Sequence, residues 1–239
     1  MSMTATQNAN ASRTVRELAT SIPEATRVFE QMGIDYCCGG LTPLADACAA
    51  ANIPLERVLS QLEAAQRQRG QSASGEDWNT TSLSRLIEHI VNTHHAYLKQ
   101  ELPRLEKLMA KVVSVHGANH PELTEVEEVL LALSSELGSH LMKEEQILFP
   151  YVVGTENGQA PHACFGSVEN PIRMMEYEHE NAGQALRQLR ALTQDYKTPA
   201  DACISYQTLY AAIQALEADL HQHIHLENNI LFPRAMRMG

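Results

Sequence analysis

Two segments of this chain interrupt an apolar helical stripe in the same way. Residues 140–150 read HLMKEEQILFP and residues 223–233 read HIHLENNILFP; His, Glu, Ile, Leu, Phe and Pro coincide at an offset of 83. The stripe through the first is Leu123, Val126, Leu130, Leu133, Leu137, His140, Glu144, Ile147, Tyr151. The stripe through the second is Tyr206, Leu209, Ile213, Leu216, Leu220, His223, Glu227, Ile230. Steps of three and four without a slip describe one buried face of an α-helix. Where the pattern demands apolar residues, both copies place a His and a Glu four residues apart. Such a repeat marks a duplicated helical hairpin, so the other helix of each hairpin should supply a matching residue. His95 lies on the stripe Ile87, Val91, His95, Leu98, Leu102, Leu105, Met109, Val112. His179 lies on the stripe Ile172, Met175, His179, Ala182, Leu186, Leu189, Tyr196.

His95, His140, Glu144, His179, His223 and Glu227 are therefore expected to point into one core. Burying two carboxylates and four imidazoles is costly for every charge left unpaired. Core hydrogen bonds would explain one such residue. Six of them, duplicated over four helices, point to a metal, which compensates carboxylates and binds neutral imidazole. A His and a Glu at i and i+4 share one helix face, so each pair can serve one site. Six ligands exceed one tetrahedral zinc and suit two metals. If the glutamates bridge, each metal receives two His nitrogens and two carboxylate oxygens. An oxo or hydroxo bridge then leaves one position per metal for a small molecule. This mixed ligation in a bundle favours two non-haem iron ions over manganese or zinc.

Helical patterns run over about 82–115, 121–150, 170–197 and 200–234, and no alternating strand pattern interrupts them. Asn119 or His120 can cap the second, with Pro121 in its first turn. Ahead of them, residues 13–67 read as short helices separated by Pro23, Gly33, Gly39-Gly40, Pro43 and Pro54. The polar stretch Gln66–Thr81 reads as a linker. The expected architecture is all-α: a small helical domain over 13–67 and a four-helix bundle over 82–235. With 44% apolar residues among 239, the chain can bury a core. A net charge of −11 argues against nucleic acid and anionic membranes as partners. The longest apolar run, Ile147–Val153, is broken by Pro150 and too short to span a bilayer. MSMTATQNANAS has neither the basic nor the apolar region of a signal peptide, so a cytoplasmic protein is expected.

Other titratable residues take lesser roles. His94, one step from His95, is the alternative ligand on a shorter stripe (Leu83, Ile87, Ile90, Tyr97). His225 is expected to face away onto the surface, and His89, His116, His120, His162 and His221 to be solvated or to support ligands. Glu136, one turn before His140, and Glu178, beside His179, are candidates for a base or proton relay. Five cysteines, two of them adjacent, make no disulfide scaffold. Asp35-Tyr36-Cys37-Cys38-Gly39-Gly40 places two thiols beside glycines that admit a partner to the backbone. Thr42-Pro43 looks like a helix start able to stabilise thiolates. Two half-buried structural cysteines are the alternative. Cys48, Cys164 and Cys203 are expected to be inert.

These residues resemble the iron–sulfur cluster repair di-iron proteins, the group of YtfE, ScdA and DnrN type. The Cys37-Cys38 segment is similar to that family's N-terminal domain. His94-His95 with Leu102-Pro103, His140–Pro150, Glu178-His179 and His223–Pro233 are similar to its hemerythrin-like domain. The likeness spans roughly 13–235. It implies di-iron ligation by His95, His140, Glu144, His179, His223 and Glu227, and favours His95 over His94. It implies repair of iron–sulfur clusters damaged by nitrosative or oxidative stress, by donation of iron from a labile site. Partners would be damaged iron–sulfur proteins and the small ligands NO or O2, with a second copy of the chain as a further one. The alternatives are reduction of NO at the centre, which would make the chain a turnover enzyme, and binding of NO or O2 as in hemerythrins. A ferritin-like oxidase is disfavoured because such sites carry more carboxylates.

Overall fold

The computed structural model describes residues 10–22, 24–69, 76–159, 163 and 165–238. His162 and Cys164, and positions 70–75 of the expected linker, lie outside them. The chain folds as two compact units. One takes the residues up to Ser82 together with Ile224–Pro233; the other takes Leu83–His223 and the residues from Arg234 on. Among the described residues no helix is long and apolar enough to cross a membrane.

The first unit contains α1 (Val15–Ser21), α2 (Ala25–Gln31), α3 (Leu44–Ala50) and α4 (Leu55–Arg69). Helix α1 opens on a capping box: Thr14 accepts from the Glu17 amide, and Glu17 accepts from the Thr14 amide at 2.8 Å. Val15, Leu18, Phe29, Ile34, Tyr36, Leu44, Leu59 and Leu62 form its core. Helix α4 continues through Arg69, so the first residues of the expected linker are helical. The loop before α3 is tied to α1 by backbone bonds from Arg16 N to Gly40 O (2.6 Å) and Val15 N to Thr42 O (3.0 Å).

The second unit supplies the bundle. Its first helix is α5 (Leu83–Ile90), a π-turn (Val91–His95) and α6 (Ala96–His116). The second is α7 (Glu122–Lys143), a π-turn (Glu144–Leu148) and α8 (Phe149–Glu156). The third is α9 (Glu169–Leu192). The fourth is α10 (Ile204–Leu226), which runs on through a third π-turn (Glu227–Leu231) into α11 (Phe232–Ala235); its stretch Ile224–Pro233 counts with the first unit. Leu98, Leu105, Leu123, Leu130, Leu186, Leu209, Ile213 and Leu220 belong to one continuous core. Glu156 accepts from the amides of Leu83 (2.6 Å) and Ser84 (2.8 Å), so the end of α8 caps the start of α5.

The structure departs from the stripes in register. A π-turn holds one more residue than an α-turn, which rotates everything beyond it by about 100°. Ile147, expected in the core, is 48% exposed, whereas Leu148, Phe149 and Val152 are buried. In the first helix the same extra residue joins the two competing stripes: Leu83, Ile87 and Ile90 are buried before the turn, Leu98 and Leu102 after it. The third helix ends earlier than expected, because Gln194, Asp195 and Tyr196 take φ of 50, 63 and 59°. Pro121 stands at the N-cap of α7 rather than inside its first turn, and neither Asn119 nor His120 caps it.

Candidate metal centre

All three π-turns carry a residue of the expected ligand set: His95, Glu144 and Glu227. The six residues meet in two overlapping buried groups. One is His95, Glu144, His223 and Glu227; the other is His140, Glu144, His179 and Glu227. Within each group, one ligand atom per residue lies within 4.8 Å of the others. His95 Nε2 stands 3.1 Å from His223 Nε2, and His140 Nε2 stands 3.0 Å from His179 Nε2. Glu144 Oε2 lies 3.5 Å from His95 Nε2 and 3.3 Å from His140 Nε2, between the two imidazole pairs.

The outer nitrogens fix which lone pairs face inward. His95 Nδ1 donates to Glu145 Oε1 at 2.8 Å, and Lys99 Nζ donates to the same carboxylate at 2.6 Å. His140 Nδ1 donates to Glu178 Oε2 at 2.9 Å, and Lys143 pairs with the other oxygen of Glu178. Each carboxylate thus holds one imidazole as its Nδ1–H tautomer, which leaves Nε2 a lone pair aimed at the core. The Lys and His donors hold Glu145 and Glu178 below the usual carboxylate range, against the opposing effect of partial burial.

This donor set fits a pair of cations. Two nitrogens each about 2.1 Å from one ion and roughly at right angles stand about 3.0 Å apart. The His95–His223 and His140–His179 spacings match that. Glutamates common to both groups suit a shared, bridging position, and imidazole with carboxylate suits iron.

His94, the alternative ligand, is buried but belongs to neither group. Its Nδ1 donates to Asp219 at 2.9 Å and its ring stacks on His223, 5.5 Å between centroids. Glu178 supports His140, whereas Glu136 is exposed on α7. Glu145 was not singled out from the sequence. Its adjacency to Glu144, with a lysine four residues after His95 to pair with it, was the available signal.

His225 is a correction. It belongs to neither ligand group, yet it is buried rather than on the surface. Its Nδ1 accepts from Asn229 Nδ2 at 2.9 Å and its ring meets Tyr36 edge-on at 5.5 Å. Burial, aided by Arg16, pushes its pKa down to about 4, so it is neutral at pH 7. His225→Ala is expected to retain iron while lowering stability by about 1–3 kcal/mol, the cost of an unsatisfied buried donor. His223→Ala is expected to lose iron. Metal analysis beside thermal melts separates the two, and equal iron loss would contradict this assignment.

The second cluster able to hold a metal is Asp35, Cys37 and Cys38. Asp35 Oδ1 accepts from the amides of Cys37 (3.1 Å), Cys38 (2.9 Å) and Gly39 (3.1 Å) and from the Cys37 thiol (3.4 Å). The Cys37 thiol donates to Cys38 Sγ at 3.8 Å, and both residues are reduced thiols. The expected thiolate stabilisation by a helix start is not found at Cys37. Its hydrogen bond with Cys38, its burial and the charge of Asp35 push its thiol well above the ordinary value. Cys203, expected to be inert, is exposed and takes a hydrogen bond from His116 Nε2 at 3.1 Å, which with backbone amides brings its thiol down to about 7.

Comparison with known proteins covers both parts of the chain. Residues 86–235 match the hemerythrin HHE cation-binding domain, and residues 11–66 match a domain of unknown function found at the N-terminus of ScdA. A Haemophilus influenzae protein named "Probable iron-sulfur cluster repair protein" is 38% identical over 226 residues, 95% of this chain and 97% of its own. Proteins of Yersinia pseudotuberculosis and Yersinia pestis named "Iron-sulfur cluster repair protein YtfE" are 39% identical over 220 residues, 92% of this chain and 95% of theirs.

Proposed function

This chain belongs to the iron–sulfur cluster repair protein family, with a hemerythrin HHE cation-binding domain, and on that premise we propose that it carries a labile pair of iron ions and donates iron to damaged clusters. The reading assigns His95, His140, Glu144, His179, His223 and Glu227 as the ligands, with Glu144 and Glu227 bridging. The observation that carries it is the pair of buried ligand groups that share both glutamates. When bound, the iron pair supplies exchangeable metal and open positions for small ligands such as NO or O2.

The chain's own residues then divide the work. Glu145 and Glu178 hold the inward lone pairs of His95 and His140, as described above. Mixed nitrogen and oxygen ligation holds iron less firmly than a thiolate cage, which suits a donor. Asp35, Cys37 and Cys38 are proposed as the transfer site, since soft thiolates compete for iron in transit. Iron held there would replace the proton of the Cys37 thiol, which Asp35 Oδ1, its hydrogen-bond acceptor at 3.4 Å, can accept and pass to solvent. We assign the Cys-Cys domain to 13–67 and the di-iron bundle to 82–235, with nitrosative or oxidative stress in the cytoplasm as the setting and damaged iron–sulfur proteins as clients.

The test is direct. Protein isolated from iron-replete cells is expected to hold about two irons per chain and to restore activity to an NO-damaged [4Fe–4S] dehydratase. Zinc in place of iron would overturn the di-iron reading. Iron-loaded protein that consumes or retains NO but restores no activity would favour the NO-binding alternative.

A further inference from the structure

The third π-turn faces two ways. Glu227 is a member of both ligand groups, while its next two neighbours serve the loop that carries the cysteines. Asn228 Nδ2 donates to the Cys37 carbonyl at 3.1 Å. Asn229 Nδ2 donates to the Tyr36 carbonyl at 2.8 Å and to His225 Nδ1 at 2.9 Å, and Asn229 Oδ1 accepts from Arg16 Nε at 2.8 Å. Both amide hydrogens and the oxygen of Asn229 are engaged, so its orientation is determined. Arg16 also donates to the Asn228 carbonyl at 2.8 Å. The approach is close enough to need a glycine: a Cβ on Gly40 would stand 2.7 Å from Asn229 Oδ1.

The internal duplication sharpens this. The positions that match Asn228 and Asn229 are Glu145 and Gln146. Glu145 is an acceptor and receives a hydrogen bond from His95 Nδ1–H at 2.8 Å. A carboxylate at position 228 could not donate to the Cys37 carbonyl; an amide can. At position 228 the second copy therefore carries an amide donor where the first copy carries a carboxylate, whereas at 229 both copies carry an amide; Asn228 and Asn229 both reach the backbone at the cysteine pair.

We propose that Asn228 and Asn229 are positioning residues that couple iron at Glu227 to the thiols of Cys37 and Cys38. The proposal rests on the reading of Glu227 as an iron ligand. Glu227, Asn228 and Asn229 are consecutive in one turn, so a displacement of Glu227 on taking up or releasing iron passes through the backbone to the two amides. They hold the carbonyls of Tyr36 and Cys37, while Asp35 holds the amides of Cys37 and Cys38. Loading the centre thereby changes how readily the thiols react, and by linkage the state of the loop feeds back on iron affinity.

The experiment uses the full chain, iron-loaded and chelator-stripped. Alkylation of each cysteine by iodoacetamide is followed by peptide mass spectrometry, with the exposed Cys203 as internal reference. Iron loading of the parent is expected to change the Cys37 and Cys38 rates about fivefold, the factor carried by one ordinary hydrogen bond, with Cys203 unchanged. Asn228→Ala/Asn229→Ala should keep its iron and lose this dependence. Asn228→Asp, of the same size but without the amide donor, should lose much of it with less disturbance of packing. Equal iron dependence in parent and variants, or none in the parent although iron is bound, overturns the coupling. Iron lost from both variants overturns it in favour of a purely structural role. Absence of iron from the parent, read by metal analysis before any thiol is measured, overturns the ligand reading on which the coupling rests and the coupling with it.

Discussion

Glu144→Ala is expected to empty both positions of the iron centre at once, from about two irons per chain to well under one. The expectation follows from sharing. Glu144 belongs to both ligand groups, and its Oε2 lies within 3.5 Å of an imidazole nitrogen of each pair. Removing it would take an oxygen from each ion and leave the two with Glu227 as their shared carboxylate, too little to offset the charge of two cations. Glu227→Ala should do the same, since Glu227 also belongs to both groups. The supporting carboxylates set the contrast. Glu145→Gln and Glu178→Gln leave all six ligands in place and release only the orientation of His95 or His140, so iron affinity should fall about 10–100-fold. Iron counted by elemental analysis during titration with a chelator reads both effects. If Glu144→Ala retains one firmly bound iron, the bridging assignment fails.

Cys37→Ser/Cys38→Ser is expected to keep its iron and its visible spectrum while repair of a damaged cluster falls severely. Serine is close in size, and the bonds that anchor the loop run to backbone atoms. Asn228 and Asn229 donate to the carbonyls of Cys37 and Tyr36, and Asp35 accepts from backbone amides. The substitution therefore removes the soft ligands and leaves the loop held. Repair is measured as recovered dehydratase activity, with thiol-blocked parent protein as a second arm expected to match the variant. Undiminished repair would make the cysteines structural. Loss of the iron centre itself would show that the thiols support the bundle rather than the transfer.

The buried cluster of four histidines and two glutamates was legible because burial leaves a periodic trace. His140 with Glu144 and His223 with Glu227 interrupt apolar stripes that otherwise step by three and four, and the duplication doubled that signal. His95 and His179 followed from the same stripes on the partner helices. Residues acting through a neighbour left a weaker trace. Glu178 was visible as the neighbour of His179, but Glu145 had no stripe of its own and gains its role by reaching His95 on another helix. His225 was misjudged because a helical stripe describes one face only. Its opposite face is covered by Tyr36, a residue remote in sequence, and such cover has no period to read.

The sequence by itself determined that the chain is helical, that a helical hairpin is duplicated, and that a His and a Glu at i and i+4 interrupt a core in each copy. Those properties depend on residue type and on 3.6 residues per turn, which any helix obeys. Tertiary structure decided where the helix departs from that rule. Each π-turn adds a residue at Val91–His95, Glu144–Leu148 or Glu227–Leu231, and such a turn is rare within an α-helix, so contacts made elsewhere have to select it. The added residue exposes Ile147 and buries Leu148, buries both His94 and His95, and lets Asn228 and Asn229 reach the cysteine loop while Glu227 remains in the core. The energy that selects such a turn lies in contacts between chain segments far apart in sequence, so a stripe that counts residues along one helix does not contain it.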